Sequence, residues 1–367
     1  MTLAVDLSAV TGYARQLRRA TEDAEAVTSY VSKHSGRHTG GELIEIAGEG
    51  HDRACAEFDA TFGRLINLLD SSALELDRTA GYYRRTDLAA ADAVDRALPS
   101  VADRCAAPLE YEVASLTCPP AAFADPRQVT DRLTVPPAPG NPSQGMAWMG
   151  WLSPTSWATQ AMQAVFGFNP VAWLQERLAG DWEALATMRP VLVNAGDALH
   201  DLALNIQSGA TTLGSRWQGN AGDAAYRYFT DLATAITALE TPLDRISAAY
   251  RVMADAVWST CEVLGGIVAG LVDAAIIAGI AAAAGAVTAG TGVGPLVAYG
   301  VAAAEVAEML LLWGKATSLY QKARTAVLAF RAVLDRELSD LGGVRLPRLP
   351  GGAGYDHPLV SPGGRDG

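Results

Sequence analysis

Apolar residues recur at steps of three and four along most of the chain, the spacing that places them on one face of an α-helix. Val10, Leu17, Ala24 and Val31 make one seven-residue series, and Tyr13, Ala20 and Val27 make the interleaved one. That is the seam of a packed amphipathic helix. Ser35-Gly36-Arg37-His38-Thr39-Gly40-Gly41 interrupts it. Phe58, Phe62, Leu65, Leu69, Leu76 and Tyr83 resume at compatible spacing, which predicts a second helix running to about Ala97. A further pair lies downstream. Leu192, Ala195, Leu199, Leu202, Ile206, Ala210 and Leu213 precede Trp217-Gln218-Gly219. Ala225, Phe229, Leu232, Ile236, Leu239, Leu243, Ile246, Tyr250, Met253 and Val257 follow it. Gly219 admits a backbone conformation that other residues avoid, and Asn220, Gly222 and Asp223 supply turn and N-cap chemistry. The chain is therefore expected to fold back there, with Trp217 closing the hairpin end.

The segments around these pairs differ in character. Ala106 to about Gly145 carries Pro119, Pro120, Pro136, Pro137, Pro139 and Pro142 and reads as a semi-extended linker, because such a stretch cannot propagate a helix. Trp148, Trp151 and Trp157 follow in a short apolar segment and read as core or interface packing in preference to a ligand pocket. Asn169-Pro170 has the form of an N-cap with proline at the first helical position. Pro242 falls inside the helix after the Trp-x-Gly turn. The heptad stays in register across it, so a kink is expected, with Thr241 as a local cap and packing outweighing a penalty of about 3 kcal/mol.

From Val263 to Trp313 the composition turns to Ala, Gly, Val, Ile and Leu. Two apolar stretches, Val263 to Ala289 and Pro295 to Leu312, flank the glycine run from Gly290 to Gly294, and each approaches the roughly 20 residues needed to cross a bilayer. Gly266, Gly270, Ala274, Ala278 and Ala282 form a small-residue stripe that lets helices approach closely. Asp273, Glu305 and Glu308 would be expensive against lipid, which favours a tightly packed soluble helical hairpin; membrane insertion through 263–313 is the alternative. Arg324 to Leu341 reads as a final amphipathic helix. The expected architecture is all-α: two long antiparallel helical hairpins with coiled-coil-like seams form a four-helix-bundle-like core, and an Ala/Gly-rich apolar helical hairpin is added to it. Its divisions are 1–105 (first hairpin), 106–147 (linker), 148–262 (Trp-x-Gly hairpin), 263–341 (apolar helical region) and 342–367 (disordered tail).

A chain of 367 residues is too long for one such hairpin, and half of it is hydrophobic, ample for real cores. The formal net charge of −12 argues against a nucleic-acid partner, whose phosphates require basic patches. Met1-Thr2-Leu3-Ala4-Val5-Asp6 has no basic region leading into an apolar core, so neither a conventional signal peptide nor export by the general secretory route is expected. Catalytic motifs are missing: there is no His-Glu-x-x-His, Gly-x-Ser-x-Gly or Cys-x-x-Cys, and the glycine run has no Lys-Ser/Thr after it, the next lysine being Lys315. No enzymatic activity and no cofactor are expected. His34 and His38 stand one helical turn apart and His51 follows. Solvated histidines explain them without a metal, because no nearby carboxylate or cysteine completes a ligand set. Cys55, Cys105, Cys118 and Cys261 lack framework spacing; they read as free thiols, with a Cys105–Cys118 bridge after export as the alternative.

The run from Ser215 through Trp217-Gln218-Gly219-Asn220-Ala221-Gly222-Asp223 to Ala225, followed by Tyr226 and Phe229, resembles the turn and second-helix start of the WXG superfamily of type VII (ESX) secretion substrates. The likeness covers residues 165–262 well and the first 105 weakly, where it is similar to the secretion-associated subgroup with a degenerate turn motif. Val171 to Glu183 is similar to the entry segment of longer actinobacterial members. The resemblance implies a non-enzymatic substrate or secretion-associated protein, exported as a folded helical bundle. It would be cytoplasmic before export, then extracellular or in the cell envelope by a non-Sec route, with a type VII secretion ATPase or adaptor as partner. It also implies Trp217 and Gly219 as the turn and secretion motif, and Tyr83 and Asp87 as the export signal. Four apart, Tyr83 and Asp87 would share a helix face. Tyr250 and Asp255 are five apart, which rotates the acid off the tyrosine face. In the family, partners dock antiparallel with the signal of one beside the Trp-x-Gly turn of the other. Here each hairpin has what the other lacks, which predicts an internal pseudo-heterodimer; recruitment of a separate small WXG-type partner by each hairpin is the alternative. Three other roles stay open: a membrane-active effector, the carrier half of a polymorphic toxin, and a cytoplasmic pairing partner of small WXG-type substrates.

Overall fold

The computed structural model describes residues 3–36, 38–98, 100, 108–116, 122–138, 156–287 and 294–347. The fold is all-α, with one two-stranded ribbon at an end of the bundle. In chain order the elements are β1 (Ala4–Val5), α1 (Leu7–His34), α2 (Glu42–Arg85), α3 (Leu88–Asp95), α4 (Pro108–Ala114) and a 3-10 turn (Val129–Arg132). There follow α5 (Ser156–Phe166), α6 (Pro170–Leu178), α7 (Trp182–Arg216), β2 (Trp217–Gln218), α8 (Asn220–Thr237), α9 (Glu240–Val287) and α10 (Gly294–Gly343). Helix α1 packs on α2 and α7, α7 on α8 and α9, α9 on α10, and α10 returns to α2, so the long helices close a ring around one core.

The heptad positions face that core. Val10, Tyr13, Leu17, Phe58, Leu65, Leu69, Leu199, Leu202, Ile206, Phe229, Ile236 and Ile246 are all buried. The Tyr13 hydroxyl, buried in that core, donates to the Ile206 carbonyl at 3.0 Å, while its ring meets Phe229 edge-on at 4.8 Å. Gly209 is required where α1 crosses α7, because a Cβ there would run into the Tyr13 ring and the Gln16 amide. Asn169 caps α6 by accepting from the Val171 and Ala172 N–H groups, with Pro170 in the first turn.

Several boundaries differ from the sequence reading. Helix α2 begins at Glu42, well before Phe58, and stops at Arg85 instead of reaching Ala97. Thr86 is extended, and Asp87 starts the separate helix α3. Pro242 does not kink a helix: α8 ends at Thr237, α9 starts at Glu240, and the proline occupies the first turn, where its missing N–H has no helical partner to lose. Pro190 is the proline inside a helix, and α7 continues through it. The division at residue 262 falls within α9, a single helix, and Arg324 to Leu341 is the distal part of α10. The described part of the 106–147 segment is docked on α7 and not free: Leu109 and Val129 are buried, Arg132 bonds Asp201 at 2.6 Å, and the Arg127 N–H donates to Asn205 at 3.0 Å. Trp148, Trp151, Cys105, Cys118, the glycines 290 and 292 and the tail from 348 lie outside the described residues.

Candidate functional site at the Trp-x-Gly end of the bundle

Trp217 and Gln218 leave α7 in extended conformation and pair antiparallel with the N-terminal Val5 and Ala4. The Asp6 N–H then donates to the Arg216 carbonyl at 3.1 Å, and the Asp6 carboxylate turns to cap α1 through the Ser8 and Ala9 N–H groups. The hydrogen bond from the Ser8 hydroxyl is the main cause that holds this carboxyl below its ordinary range. Gly219 has φ +121°, a conformation L side chains rarely adopt, and a Cβ there would lie 2.6 Å from an Asp95 oxygen. The glycine is needed both for the turn and for the closeness of α3.

That closeness caps α8 from another part of the chain. Asp95, 1 % exposed, accepts from the Asn220 N–H through Oδ2 and from the Ala221 N–H through Oδ1, both at 2.9 Å. The Asn220 amide donates back to the Asp95 and Leu98 carbonyls at 3.0 and 3.1 Å. A carboxylate at a helix N-terminus satisfies orphan N–H donors and meets the positive end of the helix dipole. Asp92, one turn earlier on α3, accepts from the Leu3 N–H at 2.9 Å and pairs with Arg96. Short helix α3 thus ties the N-terminal strand to the hairpin turn.

Against this turn lies the end of α2. The Tyr83 ring meets the fully buried Trp217 ring edge-on, with centroids 5.9 Å apart and planes at 84°. Burial raises the Tyr83 phenol well above its usual range, the Asp95 carboxylate adds to the rise, and a hydrogen bond with the Trp217 indole opposes it. Tyr83 therefore stays protonated and serves as a packing and hydrogen-bonding group.

Of the four residues singled out in the sequence, Tyr83, Trp217 and Gly219 come together, and Asp87 does not share the Tyr83 face. The helix ends between them, and Asp87 instead caps α3, accepting from the Ala89 and Ala90 N–H groups at 2.9 and 3.2 Å. What this corner shows to solvent is Arg84, Arg85 and Asp87, with Leu88 59 % and Val94 46 % exposed. The cap on α8, expected from Asn220 and Asp223 beside the turn, comes instead from the distant Asp95. Its one trace in the sequence is the spacing of Asp92 and Asp95, three apart and hence on one face of α3.

The histidines lie elsewhere. His34 packs edge-on to Tyr30; His38 meets His51, whose Nδ1 is 2.7 Å from the Tyr250 hydroxyl and whose Nε2 is 3.5 Å from Cys55 Sγ. Burial lowers the His51 pKa to about 4 and raises the Cys55 thiol, so this pair is a neutral thiol beside a neutral imidazole. Among the described residues no group of three His, Cys, Asp or Glu side chains could hold a metal ion. Compared with known proteins, the chain matches no family model, no curated protein and no solved structure.

Proposed function

We propose that the chain is a substrate or secretion-associated protein of a type VII (ESX) system, exported as a folded helical bundle and acting without catalysis. The observation that carries this reading is the packing of Tyr83 on Trp217, which brings the signal-bearing end of one hairpin to the Trp-x-Gly turn of the other within a single chain. The two hairpins then stand in for the two partners of a docked pair, and the chain needs no small WXG-type partner in trans. Because Tyr83 and Trp217 are buried, they build the corner, and the groups a secretion ATPase or adaptor reads are the exposed Asp87, Leu88, Arg84 and Arg85 around it.

In a host with a working type VII system, Asp87→Ala and Leu88→Asp are expected to keep the chain in the cells and remove it from the culture filtrate. Helical circular dichroism of the purified variants should stay close to that of the unaltered chain, since Leu88 is exposed and the Asp87 cap serves only the eight-residue helix α3, at a cost of about 0.5–2 kcal/mol. Undiminished export of both variants would overturn this reading.

A further inference from the structure

We propose that the distal turns of α9, up to Val287, and the first turns of α10, from Leu296 to Ala304, insert into the hydrocarbon of a lipid bilayer, to about the depth of one leaflet. This insertion is independent of the secretion reading and uses the opposite chemistry, apolar surface without charge. Both helices are long and apolar enough to cross a membrane. The two helices pack tightly where they face each other: a Cβ on Gly285 would touch the Tyr299 ring and Ala298, and one on Gly270 would touch Leu312. Helix α5 covers a flank of α9 up to the level of Gly279. Beyond that level none of the described segments covers the outer sides. On α10 no residue from Leu296 to Glu308 is buried, and Met309 is the first that is. Ile277, Ile280 and Val287 on α9, with Leu296, Val297, Tyr299 and Val301 on α10, are all exposed.

Three features favour lipid over a protein as what covers this end. First, neighbouring residues such as Leu296 and Val297 point to different sides of α10 and are both exposed, so the apolar surface wraps around the hairpin; a protein partner would cover one stripe. Second, no Asp, Glu, Lys, Arg or His occurs between Asp273 and Glu305, and so long an exposed run without an internal charge is rare on a protein that stays in water. Third, the charges are placed by depth. The contacts of Gly270 with Leu312 and of Gly285 with Ala298 set the pairing of the two helices and put Asp273, Glu308 and Glu305 in one band across the hairpin. From that band to Val287 is about ten residues, or roughly 15 Å at 1.5 Å per residue, half of a hydrocarbon core of about 30 Å. The three acids, costly in hydrocarbon, then stop at the headgroup level. Trp157 on α5 lies at the same level, its carbonyl 3.7 Å from the Cβ position of Gly279 and its side chain 59 % exposed, where an indole suits a membrane interface. With no basic residue in this end, binding needs no anionic lipid.

The test is flotation of the purified full chain with phosphatidylcholine vesicles on a density gradient, at low and at high salt. The chain is expected to float in both. Ile280→Glu combined with Val297→Glu should cut the floated fraction by about tenfold or more, since each charge must enter hydrocarbon. Its helical content and unfolding should be unchanged, because both positions are exposed. Val252→Glu, at an exposed apolar position on α9 far from the tip, should float like the unaltered chain. A chain that stays at the bottom of the gradient, or floats equally well with both glutamates in place, overturns the proposal. So does binding only to phosphatidylserine vesicles with release by salt. Sedimentation that shows a dimer abolished by the double substitution, without flotation, would assign this surface to a second copy of the chain and overturn it equally.

Discussion

Asp95 shows how much one carboxylate can join. Its two oxygens serve two backbone N–H groups at the start of α8, and its position on α3 brings the N-terminal strand and the Trp217 turn to the same corner. Asp95→Ala would orphan two buried donors, and a loss of roughly 2–3 kcal/mol of unfolding free energy is expected in urea titrations, from the lost cap and the uncompensated N–H groups. The tryptophan emission of the folded variant should also shift to the red as the turn around Trp217 opens. A loss below about 0.5 kcal/mol would mean that water replaces the carboxylate without cost. Apart from its spacing from Asp92, nothing in the local sequence distinguishes Asp95 from a solvated aspartate, because its partners are about 125 residues away in the chain. Gly219 is different: a glycine directly after Trp-x, followed by Asn and Gly, announces a reversal from local chemistry. The positive φ it adopts is the conformation that chemistry requires.

Helix existence and facing were legible from periodicity, and helix ends were less so. The end of α2 had a signal in Thr86-Asp87, an N-cap residue ahead of Leu88, which the unbroken apolar spacing masked. Likewise Pro242 is compatible with a kink or with a fresh start, and a start in the first turn needs no penalty. The docking of α4 could not be read at all, since it depends on a histidine on another helix. His200 on α7 bridges Glu240 at 2.7 Å, at the start of α9, and Glu112 on α4 at 3.1 Å. Burial lowers its pKa, but hydrogen bonds to the two carboxylates outweigh that, so the net shift is upward. A histidine whose folded pKa exceeds its unfolded value of about 6.5 stabilises fully below that pH, and the gain fades as pH rises through the raised value. With the ring about one-third exposed, the effect is expected to be below about 1 kcal/mol. Amide protection of α4, corrected for intrinsic exchange, should fall as pH rises above about 6.5, and His200→Gln should remove that pH dependence. Equal profiles for the two proteins would contradict the bridge.

The molecule closes because α10 returns to the first hairpin. Phe330 meets Tyr250 at 4.9 Å, Leu334 is fully buried against the Gly50 turn of α2, and Arg331–Glu49 and Arg53–Asp335 pair at 2.5 Å on the flanks. If the apolar seam holds the closure, Leu334→Ala should cost about 2–5 kcal/mol in denaturant unfolding, and Arg331→Ala under about 1 kcal/mol, as exposed ion pairs do. The reverse ranking would place the closure in the ion pairs. From the pattern of residues alone follow the all-helical class, the hairpin turn at Trp217 and the side of each helix that faces inward, since these depend on spacing within a few turns of chain. Periodicity gives a helix a buried face but no partner for it. Which helix covers which, the cap on α8 from Asp95 and the packing of Tyr83 on Trp217 arise only when segments far apart in sequence are packed together. The α9–α10 hairpin is the sharpest case: an apolar helix with no polar face has the same composition in a core, in lipid or open to solvent. Only the packing of the described segments reveals that none of them covers this end.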